Sequence, residues 1–325
     1  MLKFSPIEIA HASRLMPFYS LRRNKTCDTG FLDSILWRDY YHIHFCVPEE
    51  RAVLLCMYNE QECFAAMPFC REEDLPRYFG MLRDYFNQEM HKPLKIYLAD
   101  EESLAILGLA KDPEYIVTEE PDAKDYLYSA EELRTLTGKR FHRKKNQVNR
   151  FRKEYEGRWA YRTLGGGDRA LAEEFLDRWF REHRLVSEDA DGSLAAEEGG
   201  LRELIRNPDA FECRAGAILI DGRIEALSIG TYNPLEKMAV ISVEKGSADI
   251  PGIYQVINQQ LLLQEFPEAE IVNREDDLGL EGLRKAKESY NPIGYARKYM
   301  VLQRYGDYES MKNSYYSGLM PPASG

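Results

Sequence analysis

The sequence contains no CxxC pair, although it has six cysteines in 325 residues. Closely paired cysteines are the usual mark of a structural zinc site, and neither the cysteines nor the six histidines provide such a spacing. The composition therefore indicates reduced thiols that are mostly buried, and it predicts no metal site.

Long apolar runs are also missing. The longest, such as residues 52–58, are strand-sized, well below the ~20 residues that a membrane-spanning helix needs. The first residues lack the apolar core of a signal peptide, so we expect a cytoplasmic protein with no transmembrane segment. Charged residues (30%) and apolar residues (44%) occur in the proportions of a globular protein, and the length is sufficient for two domains.

Carboxylates are absent between residues 139 and 153, where the chain has eight Lys or Arg residues and one His. In a protein of net charge −11, such a segment favours anionic partners such as phosphates. The spacing predicts a helix over 139–156 with one apolar face, formed by Phe141, Val148, Phe151 and Tyr155. A second stripe carries two asparagines, which are poor helix formers and suggest contact with a ligand. A solvated amphipathic helix and adhesion to a membrane surface are the alternatives.

Strand and helix patterns occur in the same order in both halves: three antiparallel strands, a helix, a strand and a helix. Asp221-Gly222 between apolar segments predicts a tight hairpin, and the acidic stretch 187–200 predicts a loop. A polar linker at 118–125 separates the halves. We therefore predict an α+β fold with mixed sheets flanked by helices. The predicted domains are 1–125 and 126–312, followed by a flexible tail, 313–325.

Four consecutive charged residues, Arg274 to Asp277, follow a short apolar strand and precede a glycine. Charges at the carboxyl end of a strand lie where open α/β sheets place their sites, so Glu275 or Asp277 could act as a general base. Ligand contact without proton transfer, or stabilisation of a helix N-terminus, would explain the same residues. Tyr290 could protonate a leaving group or could simply pack.

The loop after Val243 contains Gly246 and leads to a helix that begins near Gly252. Backbone N–H groups at such a helix start can bind an anion.

The segments 139–151, 243–258 and 273–292 together resemble bacterial proteins related to the C-terminal domain of phosphatidylglycerol lysyltransferases. The resemblance implies two tandem domains of the GNAT acetyltransferase type. It further implies transfer of an aminoacyl group from aminoacyl-tRNA, or of an acyl group from a coenzyme A thioester. The loop after Val243 departs from the usual Gln/Arg-x-x-Gly-x-Gly/Ala pyrophosphate signature.

We therefore expect a transferase that moves an activated acyl or aminoacyl group to an amine or a hydroxyl, with tRNA or a phosphate-bearing small molecule as a partner. A non-catalytic protein that binds RNA or another anion on the same scaffold is the alternative. The predicted catalytic residues are Glu275, Asp277 and Tyr290; the donor- or phosphate-binding residues are Arg143, Lys144, Lys145, Asn146, Asn149 and Gly252; the substrate-binding residues are Glu244, Asn273, Arg274 and Lys285.

Overall fold

The computed structural model describes residues 2–58, 62–184 and 192–304. The predicted tail and residues 187–191 of the predicted acidic loop lie outside these ranges. The strands are β1 (Ser5–Pro6), β2 (His44–Cys46), β3 (Ala52–Tyr58), β4 (Cys63–Ala65), β5 (Phe69–Cys70), β6 (Lys95–Asp100), β7 (Tyr115–Glu119), β8 (Asp125–Ser129), β9 (Trp159–Thr163), β10 (Cys213–Ile220), β11 (Arg223–Asn233), β12 (Met238–Gly246), β13 (Ile271–Asn273), β14 (Gly294–Ala296) and β15 (Lys298–Gln303).

The α-helices are α1 (Ala12–Tyr19), α2 (Phe31–Leu36), α3 (Arg38–Tyr41), α4 (Leu75–Asp84), α5 (Glu101–Leu107), α6 (Ala130–Thr135), α7 (His142–Glu154), α8 (Arg169–Arg184), α9 (Ser193–Arg206), α10 (Ile253–Gln264) and α11 (Glu281–Glu288). The predicted basic helix is α7. It begins after a short 3-10 turn, Lys139–Phe141, and Phe141, Val148 and Phe151 on its predicted apolar face are buried.

The strands form two mixed sheets. The first has the order β1-β2-β3-β4-β6-β15-β7, with β5 on β3, and the second has the order β14-β8-β13-β12-β11-β10-β9. Each sheet has antiparallel strands and one parallel pair joined through a helix: β4 and β6 through α4, and β12 and β13 through α10. The predicted α+β class and its tandem GNAT-like architecture are confirmed.

The predicted hairpin at Asp221-Gly222 is also confirmed. Ile220 of β10 pairs with Arg223 of β11, and both turn residues have positive φ, 50° and 83°. Two left-handed residues in a two-residue loop match the twist of the flanking strands, which is why this dipeptide is favoured there.

The predicted acidic loop is shorter than expected, because residues 193–200 belong to α9. Gly200 lies so close to α2 that an added Cβ would meet the carbonyl oxygen of Leu36 at 2.4 Å. Gly200 therefore permits a close helix–helix contact at a position where a loop was expected. Apolar side chains of both halves complete one continuous core here, including Phe31 and Leu36 of α2 and Phe175 of α8.

The last strand crosses between the halves. β15 lies between β6 and β7 of the first sheet, whereas β14, which immediately precedes it, is the edge of the second sheet. The predicted boundary between residues 125 and 126 therefore does not separate the two sheets, because residues 298–303 complete the N-terminal one.

Lys298 holds this crossing in place. Its side chain is 1% exposed, and its ammonium lies 2.8 Å from Asp125 and 3.1 Å from Asp28. Although burial opposes the charge, Asp125 and Asp28 raise the pKa of Lys298 well above its ordinary value. No helix in the described ranges is long and apolar enough to cross a membrane.

Replacing Lys298 with Met should lower the free energy of unfolding by about 3–5 kcal/mol at pH 7, because the substitution leaves buried carboxylates without their cation. Urea unfolding checks this. Lys285→Met is the matched control, since Lys285 is 72% exposed and pairs with Glu281 on its own helix. Equal losses in the two variants would contradict a structural role for the buried ammonium.

Candidate functional site

The loop that follows β13 positions most of the predicted site residues. The side-chain oxygen of Asn273 accepts a hydrogen bond from the backbone N–H of Glu275 at 2.7 Å. This contact closes a tight turn in which Glu275 has φ = +58°, a conformation that is uncommon for a residue with a side chain. Such strain persists where the surroundings fix it, often at functional sites. Because of this turn, the side chains of the consecutive residues Arg274 and Glu275 have different surroundings.

Asn273 is fully buried and ties the loop to the N-terminal half. Its amide donates to the carbonyl oxygen of Lys25 at 2.8 Å and to Asp125 at 2.9 Å. Both amide hydrogens and the side-chain oxygen are therefore used within the protein. These contacts make Asn273 a positioning residue for the loop and do not fit its predicted contact with substrate.

Glu275 faces a cluster of acidic groups from both halves. One carboxylate oxygen of Glu275, one of Asp33 and the Sγ of Cys27 lie within 4.8 Å of one another. Burial and the Asp33 charge raise the pKa of Glu275 well above its ordinary value, although Lys287 opposes the shift. Burial and the Asp28 charge raise the pKa of Asp33 to about 8. We define the Asp33 cluster as Cys27, Asp28, Asp33, Asp125, Glu275, Lys287 and Lys298.

Asp277 has a different environment and does not fit the predicted role of general base. Its carboxylate accepts hydrogen bonds from Arg284 at 2.8 and 2.9 Å, from the Tyr126 hydroxyl at 2.5 Å and from the backbone N–H of Gly279 at 3.0 Å. The Arg284 contact, with the Tyr126 and Gly279 bonds, holds the pKa of Asp277 well below its usual range. A carboxylate stabilised this strongly is a poor proton acceptor.

The basic helix α7 divides the predicted donor-binding residues between two sides. Arg143, Lys145, Asn146 and Asn149 are exposed, and we call them the α7 face. Neither Arg143 nor Lys145 has an ion-pair partner in the part of the chain that the structure describes. Lys144 instead turns inward, with its ammonium 3.9 Å from the centre of the Tyr290 ring.

Lys144 completes an inner group with Glu244, Arg274 and Tyr290, which we call the Arg274 cluster. Arg274 donates to Glu244 at 2.7 Å, and its guanidinium carbon lies 4.7 Å from the centre of the Tyr290 ring. Asn258 of α10 donates to the other oxygen of Glu244 at 3.2 Å. Burial and the neighbouring Arg274 lower the pKa of Lys144 to about 8.

Two donors of the Arg274 cluster lack acceptors. Nη1 of Arg274 and the hydroxyl of Tyr290 are buried and have no hydrogen-bond partner of good geometry among the described residues, although Gln255 and Arg274 lie near the hydroxyl. Buried polar groups are normally satisfied, so unsatisfied donors next to an ammonium indicate a place for an oxygen of a ligand. The sequence predicted each of these residues but did not show that they meet.

Gly252 and Lys285 have simpler environments. A Cβ at Gly252, where φ is +88°, would lie 2.7 Å from the carbonyl oxygen of Gln147 in α7. The glycine therefore allows α7 to pack over the start of α10, and packing alone accounts for it. Lys285 is exposed and pairs with Glu281 one turn earlier in α11.

Sequence reasoning missed Asp33, Asp125 and Lys298. A usable signal was present for two of them: Asp33 interrupts the apolar segment 31–36, and Lys298 directly precedes the apolar end of β15. A charged residue in an apolar segment is informative, because burial of a charge requires a partner.

The comparisons with known proteins agree with this architecture. The family model for the C-terminal region of phosphatidylglycerol lysyltransferase matches residues 11–302. A comparison with curated protein sequences gives no significant match. A conserved protein of unknown function from Bacteroides thetaiotaomicron has a similar structure, with a TM-score of 0.84, 26% identity, and coverage of 94% of this chain and 100% of the other.

Two further structures share the fold at lower identity. The C-terminal domain of a protein assigned as a lysylphosphatidylglycerol synthetase from Agrobacterium fabrum has a TM-score of 0.67 and 16% identity, covering 95% of this chain and 97% of its own. L-PGS from Bacillus licheniformis has a TM-score of 0.66 and 14% identity, with the same coverage. With a family match over nearly the whole described chain, the protein belongs to the phosphatidylglycerol lysyltransferase C-terminal family and is thereby related to transferases.

Proposed function

We propose that this protein is an acyl or aminoacyl transferase that moves an activated acyl group from an aminoacyl-tRNA or a thioester to an amine or hydroxyl acceptor. The observation that carries the proposal is the Arg274 cluster. There, beneath the exposed α7 face, two buried donors that have no acceptor of good geometry among the described residues lie beside the Lys144 ammonium. Family membership supports the reaction class.

The α7 face binds the phosphates of the donor in this proposal. Arg143 and Lys145 offer cations that the described part of the protein does not neutralise, and Asn146 and Asn149 offer amides on the same helix. Release of counterions from the donor phosphates would provide much of the affinity. A tRNA or a smaller phosphate-bearing donor would bind this face through the same chemistry.

The Arg274 cluster receives the acyl group in this proposal. Donors aimed at the carbonyl oxygen would stabilise the negative charge that develops on it when the nucleophile attacks. Burial raises the pKa of Tyr290, which keeps its hydroxyl protonated. Tyr290 can therefore donate its proton to the oxygen or sulfur that leaves when the carbonyl–heteroatom bond breaks.

Glu275 is the proposed base that takes a proton from the acceptor as the new bond to the carbonyl carbon forms. Burial and the Asp33 charge raise its pKa above the ordinary value, which makes the carboxylate a stronger base. Because Asp277 is held by Arg284 and Tyr126, it is assigned to the support of the loop. No metal ion is needed for these steps.

Lys145→Glu should weaken tRNA binding. It should also make the plot of log association constant against log salt concentration less steep by about 0.7–0.9, the value for one lost phosphate contact. Equilibrium binding of unfractionated tRNA at several salt concentrations measures both effects. Lys111→Glu, an exposed substitution in the N-terminal half, controls for net charge. Equal effects of the two variants would exclude a specific role for α7.

The lowered pKa of Lys144 predicts a pH-dependent contribution to stability. The unfolded chain binds this proton more tightly than the folded protein, so the folded protein is favoured increasingly as the pH rises from about 8 towards the ordinary lysine pKa. The free energy of unfolding of the wild type should therefore rise relative to Lys144→Met between pH 7.5 and 9.5. Urea unfolding of both proteins measures this difference. A constant difference between the two proteins over this range would contradict the lowered pKa of Lys144.

Glu275→Gln should lower the transfer rate by roughly 100-fold or more while leaving donor affinity nearly unchanged, because a general base acts on the rate. The assay follows label from a mixture of charged tRNAs, or from acetyl coenzyme A, into acid-stable products of an extract. Glu281→Gln, at an exposed site on α11, is the matched control. Tight tRNA binding without transfer from either donor by the wild type would instead favour a non-catalytic anion-binding protein.

A further inference from the structure

The N-terminal half contains a cavity of about 110 Å³ that has no part in the proposed transfer reaction as described above. Its walls are largely aromatic and aliphatic, and carboxylates lie among them. The apolar part of the lining includes Trp37, Tyr41, Met57, Phe64 and Tyr97. Asp28 and Asp33 also line it, and Asp33 brings it next to Glu275.

The carboxylate of Asp33 is the notable group in this cavity. Both of its oxygens are buried and have no hydrogen-bond donor of good geometry in the described part of the chain. Ser242 interacts with the carboxylate and lowers its pKa, but less than burial raises it. Two other carboxylates that line the cavity have cationic partners. Asp100 accepts two hydrogen bonds from Arg22, both at 3.1 Å, and Asp28 shares the Lys298 ammonium with Asp125. Burying a carboxylate without a partner is costly, so a ligand that supplies donors would relieve the cost.

The charge of the Asp33 cluster points to a cationic ligand. Its four carboxyl groups outnumber its two ammonium groups: Asp28, Asp33, Asp125 and Glu275 against Lys287 and Lys298. The pKa values of Asp33 and Glu275 are raised in the absence of a further cation, and a bound cation would favour their ionised forms. The geometry agrees, because two oxygens that accept from one tetrahedral ammonium at ~2.8 Å lie about 4.6 Å apart. One carboxylate oxygen of Asp33 and one of Glu275 lie no more than 4.8 Å apart, which allows both to accept from one ammonium group.

We propose that this cavity binds an organic primary ammonium ion with a short apolar body, its nitrogen between Asp33 and Glu275 and its body against the aromatic wall. Aromatic faces attract organic cations, and the aliphatic part of such a ligand would replace water in the cavity. The proposal rests on the proposed function in one respect, since it takes the bound ammonium ion as the acyl acceptor. The ion gives one proton to Glu275 to become a free amine, and the amine nitrogen bonds to the carbonyl carbon as the bond to the leaving oxygen or sulfur breaks. Its second proton passes to the Tyr290 oxygen, which has protonated the leaving group.

A bound metal ion explains the structure less well. The candidate ligands would be Cys27, Asp33 and Glu275, but the Lys298 ammonium lies 3.1 Å from the sulfur of Cys27. That contact occupies the sulfur, and burial together with the charge of Asp125 raises the pKa of the Cys27 thiol well above its ordinary value. The thiolate that a metal ion would bind is therefore disfavoured, whereas an ammonium ion needs no thiolate. The aromatic lining would also remain unused by a metal ion.

Isothermal titration of the full-length protein with n-butylammonium chloride tests the proposal without any acyl donor. We expect saturable binding at one site, and at least tenfold weaker binding of 1-butanol, which has the same number of heavy atoms but no charge. Ethylammonium to octylammonium salts then report the length of the apolar body. Equal binding of the amine and the alcohol, or binding of neither, would overturn the proposal.

Asp33→Asn should weaken n-butylammonium binding at least tenfold, whereas Asp39→Asn should leave it within twofold. Asp39 lies close in sequence, but its side chain is 68% exposed and pairs with Arg38 at the surface. Stoichiometric zinc binding that Asp33→Asn abolishes, without amine binding by the wild type, would overturn the proposal in favour of a metal site. Because no donor is present, this result is independent of whether the α7 face binds tRNA.

Discussion

The contact between Lys298 and Asp125 is the constraint on which the rest of the structure depends. Lys298 belongs to the strand that completes the first sheet, and Asp125 begins β8, which lies in the second sheet. The same carboxylate accepts hydrogen bonds from the backbone of Cys27 and the amide of Asn273. One buried ion pair therefore fixes the crossing of the chain, the segment that leads to Asp33, and the loop that carries Arg274 and Glu275.

That loop separates two environments of opposite charge. Glu275 meets the acidic cluster from the N-terminal half, whereas Arg274 meets Lys144 under the basic helix. The backbone of Arg274 bonds to Tyr126 of β8, so the loop is held on the sheet between these environments. The Asp33 cluster and the Arg274 cluster must stay apart, because ion pairs between them would neutralise the charged groups that each cluster needs to bind a ligand.

The sequence was sufficient for features that depend on local patterns. The hairpin at Asp221-Gly222 and the buried side of the basic helix follow from turn chemistry and helical spacing, and both are confirmed. The surroundings of the candidate site could not be predicted in this way. Lys298 and Cys27 are 271 positions apart in the chain, and nothing local shows that they meet. Asp277 looked equivalent to Glu275 in sequence, yet Arg284 and Tyr126 give it the opposite pKa shift.

The energetic cost of burying charged side chains in the Asp33 cluster and the Arg274 cluster bears on function. Asp33 and Lys144 are both less stable in their charged forms than they would be in water, since burial shifts the pKa of each towards about 8 from opposite directions. Groups placed only for stability would be replaced by apolar side chains at little loss, because a buried charge seldom improves on good packing. Among the described residues, Asp33 forms no ion pair with a cation and Lys144 forms none with an anion, although Glu244 lies near Lys144. The two groups, on opposite sides of one loop, make sense together if two ligands of opposite charge supply these partners. A transferase that joins an anionic donor to a cationic acceptor has this requirement.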